Sequence, residues 1–122
     1  NYHWNVVDPR FHSLHEFFEE QYEELAEACD TIAERIRAVG AKSPGSMKKF
    51  LSLTSLTESE KERSGKEMLQ DLLKDHEKMI AELKKEVEIA DALNDPGSSD
   101  LCVQRLRSHE KSAWMIRSHL EG

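Results

Sequence analysis

The stretch PRFHSLHEFFEEQYEELAEACDTIAERIRAVG, residues 9–40, decides the fold. Its apolar residues Phe11, Leu14, Phe18, Tyr22, Leu25, Cys29, Ile32, Ile36 and Val39 recur at spacings of three and four. That is the period of one helix face, sustained for roughly eight turns. Asp8 supplies a capping carboxylate, and Pro9 suits the first helical position, where a missing N–H costs nothing. Gly40 supplies the left-handed stop. The spacing therefore predicts a helix of about 31 residues, roughly 46 Å long. A helix of that length predicts a bundle.

Working outward, Lys42-Ser43-Pro44-Gly45-Ser46 reads as a loop, and Met47 to Leu53 as a short helix capped by Ser46. Thr54 to about Arg63 is a polar linker or the frayed start of the next helix. Ser64 followed by Glu67 is a capping box. It opens a second long stripe of Leu69, Leu72, His76, Met79, Ile80, Leu83, Val87 and Ala90. Asn94-Asp95-Pro96-Gly97 is a strong stop. Ser98 or Ser99 then caps a last helix with Cys102, Leu106, His109, Ala113, Ile116 and Leu120 inward. No strand pattern and no internal repeat appears. The expectation is an all-α chain of three long helices, one short helix and an N-terminal tetrapeptide outside them.

Composition agrees and excludes several classes. A length of 122 residues suits one domain. No run approaches the roughly 20 apolar residues of a membrane span. The regular recurrence of apolar residues argues against disorder. Seventeen Lys+Arg against 24 Asp+Glu give a net charge of −7, which opposes non-specific DNA binding by this chain alone. Cys29 and Cys102 are expected as buried thiols in a reducing, cytoplasmic compartment. No CxxC or CxxH pattern suggests zinc. No signal peptide is visible, although a chain beginning at Asn1 says little about targeting.

Helix 9–39 also carries two polar pairs at i, i+4: His15 with Glu19, and Asp30 with Glu34. At the helical twist these four positions fall at about 0°, 40°, 60° and 100°, one arc beside the apolar stripe. The centres of the pairs are roughly 22 Å apart along the axis, too far for one chain to close one site. A second copy can close it. If two such helices pack antiparallel about a two-fold axis so that residue i faces residue 49 − i, position 15 meets 34 and position 19 meets 30. The axis then passes near Glu24 and Leu25, with Ala26 and Ala28 small enough for close approach. Oxygen-rich ligands with one or two imidazoles suit Fe(II) better than structural zinc. The same spacing also arises as a solvated face, with Asp30 and Glu34 as partners of Arg35 and Arg37. No Glu-x-x-His occurs in the chain, which excludes the di-iron design built inside one subunit on that spacing.

Asn1-Tyr2-His3-Trp4-Asn5-Val6, then Phe11, Leu14-His15-Glu16 and Asp30-Thr31-Ile32-Ala33-Glu34-Arg35-Ile36, resemble the Dps mini-ferritins. His109-Glu110-Lys111 followed by Ala113-Trp114-Met115 is similar to that family's last helix. The resemblance covers essentially the whole chain, residues 1–122, as a single ferritin-like domain. It implies a ferritin-like four-helix bundle with a short helix between the second and third long helices. It also implies that this chain starts at the end of the family's first helix. Further implications are a hollow dodecamer, Fe(II) oxidation with hydrogen peroxide at two-fold di-iron sites, and storage of the ferric product. Carried over by residue, His3, His15 and Glu19 come from one chain and Asp30 and Glu34 from its partner. Glu19 stands where the family often has Asp, and Trp4 resembles the tryptophan beside the site. Asp91, Asp95 and Asp100 are candidates for an acidic three-fold pore. Of the remaining histidines, His12 and His119 are expected in solvent, and His76 and His109 as satisfied core or interface residues rather than ligands. Rival readings are a nucleoid-type structural DNA-binding protein and a helical interaction module with vestigial ligands.

Overall fold

A computed structural model describes residues 1–121. The helices are α1 (Tyr2–Asn5), α2 (Phe11–Ala38), α3 (Met47–Leu53), α4 (Gly65–Ala92) and α5 (Pro96–Glu121), and no strand occurs among the described residues. The N-terminal tetrapeptide, expected outside the helices, forms the single turn α1 and lies against α2.

Local chemistry sets the helix ends. Ser64 Oγ accepts the Glu67 N–H at 3.3 Å and Glu67 accepts the Ser64 N–H at 2.8 Å, so the capping box starts α4 as expected. Ser46 caps α3 by accepting the Lys49 N–H. Gly40, at φ +101°, ends α2, with Gly40 N–H to Arg37 O and Ala41 N–H to Ile36 O. That is the paired bonding of a Schellman motif.

Two starts differ from expectation. Helix α2 begins at Phe11 rather than Pro9, because Asp8 Oδ1 accepts the Arg10 N–H at 2.8 Å and Phe11 N–H bonds to Asp8 O. The carboxylate closes a turn instead of capping a helix. The same carboxylate lies over the first residue of α4, where a Cβ on Gly65 would come within 2.5 Å of Asp8 Oδ2. Helix α5 begins at Pro96, not after Ser98 or Ser99. Asp95 Oδ1 accepts the Ser98 N–H at 3.1 Å, leaving Pro96 at the first helical position.

Helices α4 and α5, joined by only three residues, make the most extensive helix contact. The main core gathers Val6, Leu14, Phe17, Phe18, Met68, Leu69 and Ile116 where the starts of α2 and α4 meet the end of α5. Each large apolar side chain buried there contributes roughly 1.5–3 kcal/mol. The apolar stripe of α2 divides. Leu14 and Phe18 are buried, joined by Phe17 and Ala28, whereas Phe11, Tyr22, Leu25, Cys29, Ile32 and Val39 stay exposed. Periodicity defines the stripe, but only the neighbours on one flank cover it. Cys29 is thus exposed rather than buried, and Cys102 is half-buried. Ala28 faces the interior of this chain, so of the two small residues only exposed Ala26 is available to a second helix. His12 is exposed as expected, while His119 is half-buried with its ring 4.9 Å from that of Phe17.

Candidate metal centre

The turn α1 carries His3, and several contacts pin that turn. Asn5 donates its amide to Asn1 O and Oδ1, Val6 is buried, and the Tyr2 ring packs 6.0 Å from Phe18. Tyr2 donates its hydroxyl to Asp71 Oδ2 on α4 at 2.8 Å, and Arg63 pairs with the same oxygen at 3.2 Å. Burial, then the bonded Asp71 carboxylate, pushes the Tyr2 phenol up to about 12.

His3 and His15 meet across α1 and α2. His3 Nδ1 lies 2.7 Å from His15 O, and His15 Nδ1 lies 2.7 Å from His3 O. The rings stack at 3.8 Å with 14° between planes. Phe11 stacks 5.0 Å from His15, and Tyr22 stands edge-on to His3 at 5.3 Å. A carbonyl only accepts, so each Nδ1 must carry the proton and each neutral ring keeps an unprotonated Nε2. Two imidazoles are thus held in a metal-binding tautomer by the protein alone. Glu19, half-buried, follows one helical turn after His15. Trp4, 80% exposed, adjoins His3 in the chain.

Asp30 and Glu34 are exposed on α2, roughly 22 Å along from the His15 and Glu19 pair. At the helical twist Glu19, Asp30 and Glu34 lie roughly opposite the buried residues Leu14, Phe17, Phe18 and Ala28, and His15 lies at the edge of that arc. Neither carboxylate holds a neighbouring arginine. Arg35 pairs with Asp95 at 2.9 Å and bonds Ser98 Oγ, and Arg37 donates to Ala41 O. Glu34 instead lines a surface depression of about 420 Å³ with Thr31, Arg35, Asp100 and Gln104. Among the described residues of one chain, no group of three or more His, Cys, Asp or Glu side chains converges as a metal site. The candidate residues therefore fall into two separate groups in one chain: His3, His15 and Glu19, and Asp30 and Glu34.

The three pore candidates do not share one place in a single chain. Asp91 and Asp95 line a depression at the α4–α5 link with Asn94 and Pro96. Asp95 is committed there: bonds from Ser98 and the Arg35 guanidinium hold its carboxyl below the usual range. Asp100 accepts from Gln104 Nε2 at 2.9 Å and lines the depression beside Glu34.

One cluster escaped sequence reasoning. Buried Arg105 grips Glu24 through both carboxylate oxygens and approaches His109 Nε2 at 3.0 Å. His109 meets His76 in turn, both rings buried as expected for satisfied core residues. Arg105 shares the inward face of α5 with His109 and Ile116, and an arginine at core spacing was the available signal.

The entire chain, residues 1–122, matches the ferritin family, described as a Ferritin-like domain. The described residues thus form a ferritin-like helical fold. The chain is 43% identical over 120 residues to DNA protection during starvation protein 2 of Bacillus anthracis, spanning 98% of this chain and 82% of that protein. It is also 43% identical over 123 residues to an uncharacterized low temperature-induced protein of Nostoc sp., spanning 99% and 69%. The crystal structure of Dps from Staphylococcus aureus superposes with a TM-score of 0.96 at 36% identity, over 98% of this chain and 80% of that one. The chain belongs to the Dps family of mini-ferritins. No described helix is long and apolar enough to cross a membrane.

Proposed function

We propose that this chain oxidises Fe(II), taken as substrate, with hydrogen peroxide at sites shared by two subunits, and retains the ferric product in a twelve-subunit shell in the cytoplasm. The observation that carries the reading is the reciprocal His3–His15 arrangement, which prepares two Nε2 lone pairs beside Glu19. Antiparallel pairing of α2 with a second copy brings Asp30 and Glu34 of that copy to the same place, because 15 with 34 and 19 with 30 obey one register. The resulting set of two imidazole nitrogens and three carboxylates suits Fe(II), and the carboxylates stabilise Fe(III) more because its charge is higher.

The reaction balances with two irons. Each Fe(II) gives one electron, the O–O bond of peroxide breaks, and two protons complete two waters. Holding two irons together makes the peroxide a two-electron oxidant and avoids release of hydroxyl radical. His3 and His15 bind through Nε2, and the backbone carbonyls that hold their Nδ1 protons keep both rings from turning.

The test is anaerobic titration of Fe(II)-loaded assembled protein with peroxide, alongside native mass spectrometry. The expected result is two irons oxidised per peroxide in a twelve-subunit species. One iron per peroxide with hydroxyl-radical release, or monomer alone at micromolar concentration, overturns the reading.

A further inference from the structure

The middle of the bundle holds a chain of polar side chains that the iron chemistry does not use. Gln21 and Glu24 of α2, His76 of α4, and Arg105, His109 and Ser112 of α5 meet there. The direction of each bond follows from its ends. A guanidinium only donates, so His109 Nε2 accepts from Arg105 at 3.0 Å. Neutral His109 then carries its proton on Nδ1 and donates it to His76 Nδ1 at 2.9 Å. His76 is thereby protonated on Nε2, which donates to Gln21 Oε1 at 2.7 Å. The Gln21 amide ends the chain on Ser112 Oγ at 3.3 Å.

Both acceptor nitrogens already face a donor, so an added proton has no favourable position. On His109 Nε2 it sets N–H against the Arg105 guanidinium. On His76 Nδ1 it sets N–H against N–H. The charged groups that face the pair are Glu24 from α2 and Arg105 from α5. Both oxygens of Glu24 are held by Arg105, so its carboxylate bonds neither ring. With His76 at 7% and His109 at 4% exposure, water cannot easily take the place of a broken link.

We propose that His76 and His109 form an acid-operated latch, which joins α2, α4 and α5 while both rings are neutral and parts when either takes up a proton. Burial, then the charge of Arg105, pushes His109 down to about 4. Burial also pushes His76 down, against the opposing pull of Glu24. An unfolded histidine titrates near 6.5, so between about pH 6.5 and 4 the opened chain binds more protons than the latched one. The latch is therefore at full strength above about pH 6.5, weakens as pH falls, and has lost its contribution by about pH 4.

The test is thermal melting of the assembled full chain at about pH 7.5 and about pH 5.2. The expected fall in Tm is about 5–10 °C for the unsubstituted protein. The His76→Gln/His109→Gln protein is expected to fall by less than about half as much, having no ring to protonate. Equal falls overturn the latch. Should the variant fail to fold, ring-carbon NMR of histidine-labelled unsubstituted protein decides. His109 must remain neutral at about pH 5.2, and its titration above pH 6 overturns the proposal.

Discussion

His3 and His15 fix each other's orientation through backbone carbonyls, each ring nitrogen Nδ1 lying 2.7 Å from the other residue's oxygen. The bonds couple chemistry to architecture, since the same contacts that set the tautomers also dock α1 on α2. Replacing either residue by alanine removes one imidazole and one of the two docking bonds. His3→Ala is expected to slow Fe(II) oxidation by peroxide at least about 10-fold, the loss usual for disturbed metal-site support. Amide exchange over residues 2–6 should quicken while the helix content by circular dichroism stays unchanged. Unaltered oxidation would show that His3 is not a ligand.

The Arg105–Glu24 pair makes a second expectation. Arg105 is buried, and its removal leaves His109 Nε2 without this donor and Glu24 without its ion-pair partner Arg105. Arg105→Ala is expected to cost about 2 kcal/mol, mainly from the unsatisfied buried His109 Nε2, because Glu24 is 46% exposed and water screens its charge. Glu24→Gln keeps one acceptor oxygen and is expected to cost about 1 kcal/mol. Denaturant melts of both variants check the order. An Arg105→Ala protein as stable as the parent would mean that the rings find another donor.

How much of this was legible follows the range of each interaction. The ends of α3 and α4 were readable because Ser46, Ser64 and Glu67 act on backbone within three residues. The start of α2 was not, because Asp8 serves equally as a cap or a turn, and here the Arg10 N–H takes its carboxylate. The covered flank of the α2 stripe depends on where α4 and α5 sit, which no local pattern states. Glu24 and Arg105 lie 81 residues apart, and neither residue type announces the other. For the candidate metal centre, i, i+4 spacing and register arithmetic led to His15, Glu19, Asp30 and Glu34, and family resemblance added His3. The carbonyl bonds that set the two rings are visible only once the chain is folded.

Charge makes the third expectation. With a net charge of −7, phosphate neutralisation has little to work with, despite the DNA protection named for the Bacillus anthracis relative. Residues 1–122 as a purified protein should give no retarded DNA band at neutral pH and moderate salt. A salt-sensitive shift would reveal a basic patch that net charge conceals.

The proposed sharing of ligands between chains leads to the most discriminating experiment. His15→Ala and Glu34→Ala subunits should each assemble normally, because one residue is half-buried at the end of α2 nearest α1 and the other is exposed. Each should lose most rapid Fe(II) oxidation, since either change leaves both sites of a homodimer with an incomplete ligand set. In a mixed dimer the lesions segregate: one site combines the missing His15 with the missing Glu34, and the other retains both residues. Co-assembled shells with random pairing should therefore recover activity to about one quarter of the parent's, because about half of the dimers are mixed and each has one intact site of two. Peroxide-driven oxidation rates, with native mass spectra to verify that subunits have mixed, provide the check. If mixed shells are no more active than the separate variants, the ligands come from one chain, and the antiparallel register of α2 is wrong.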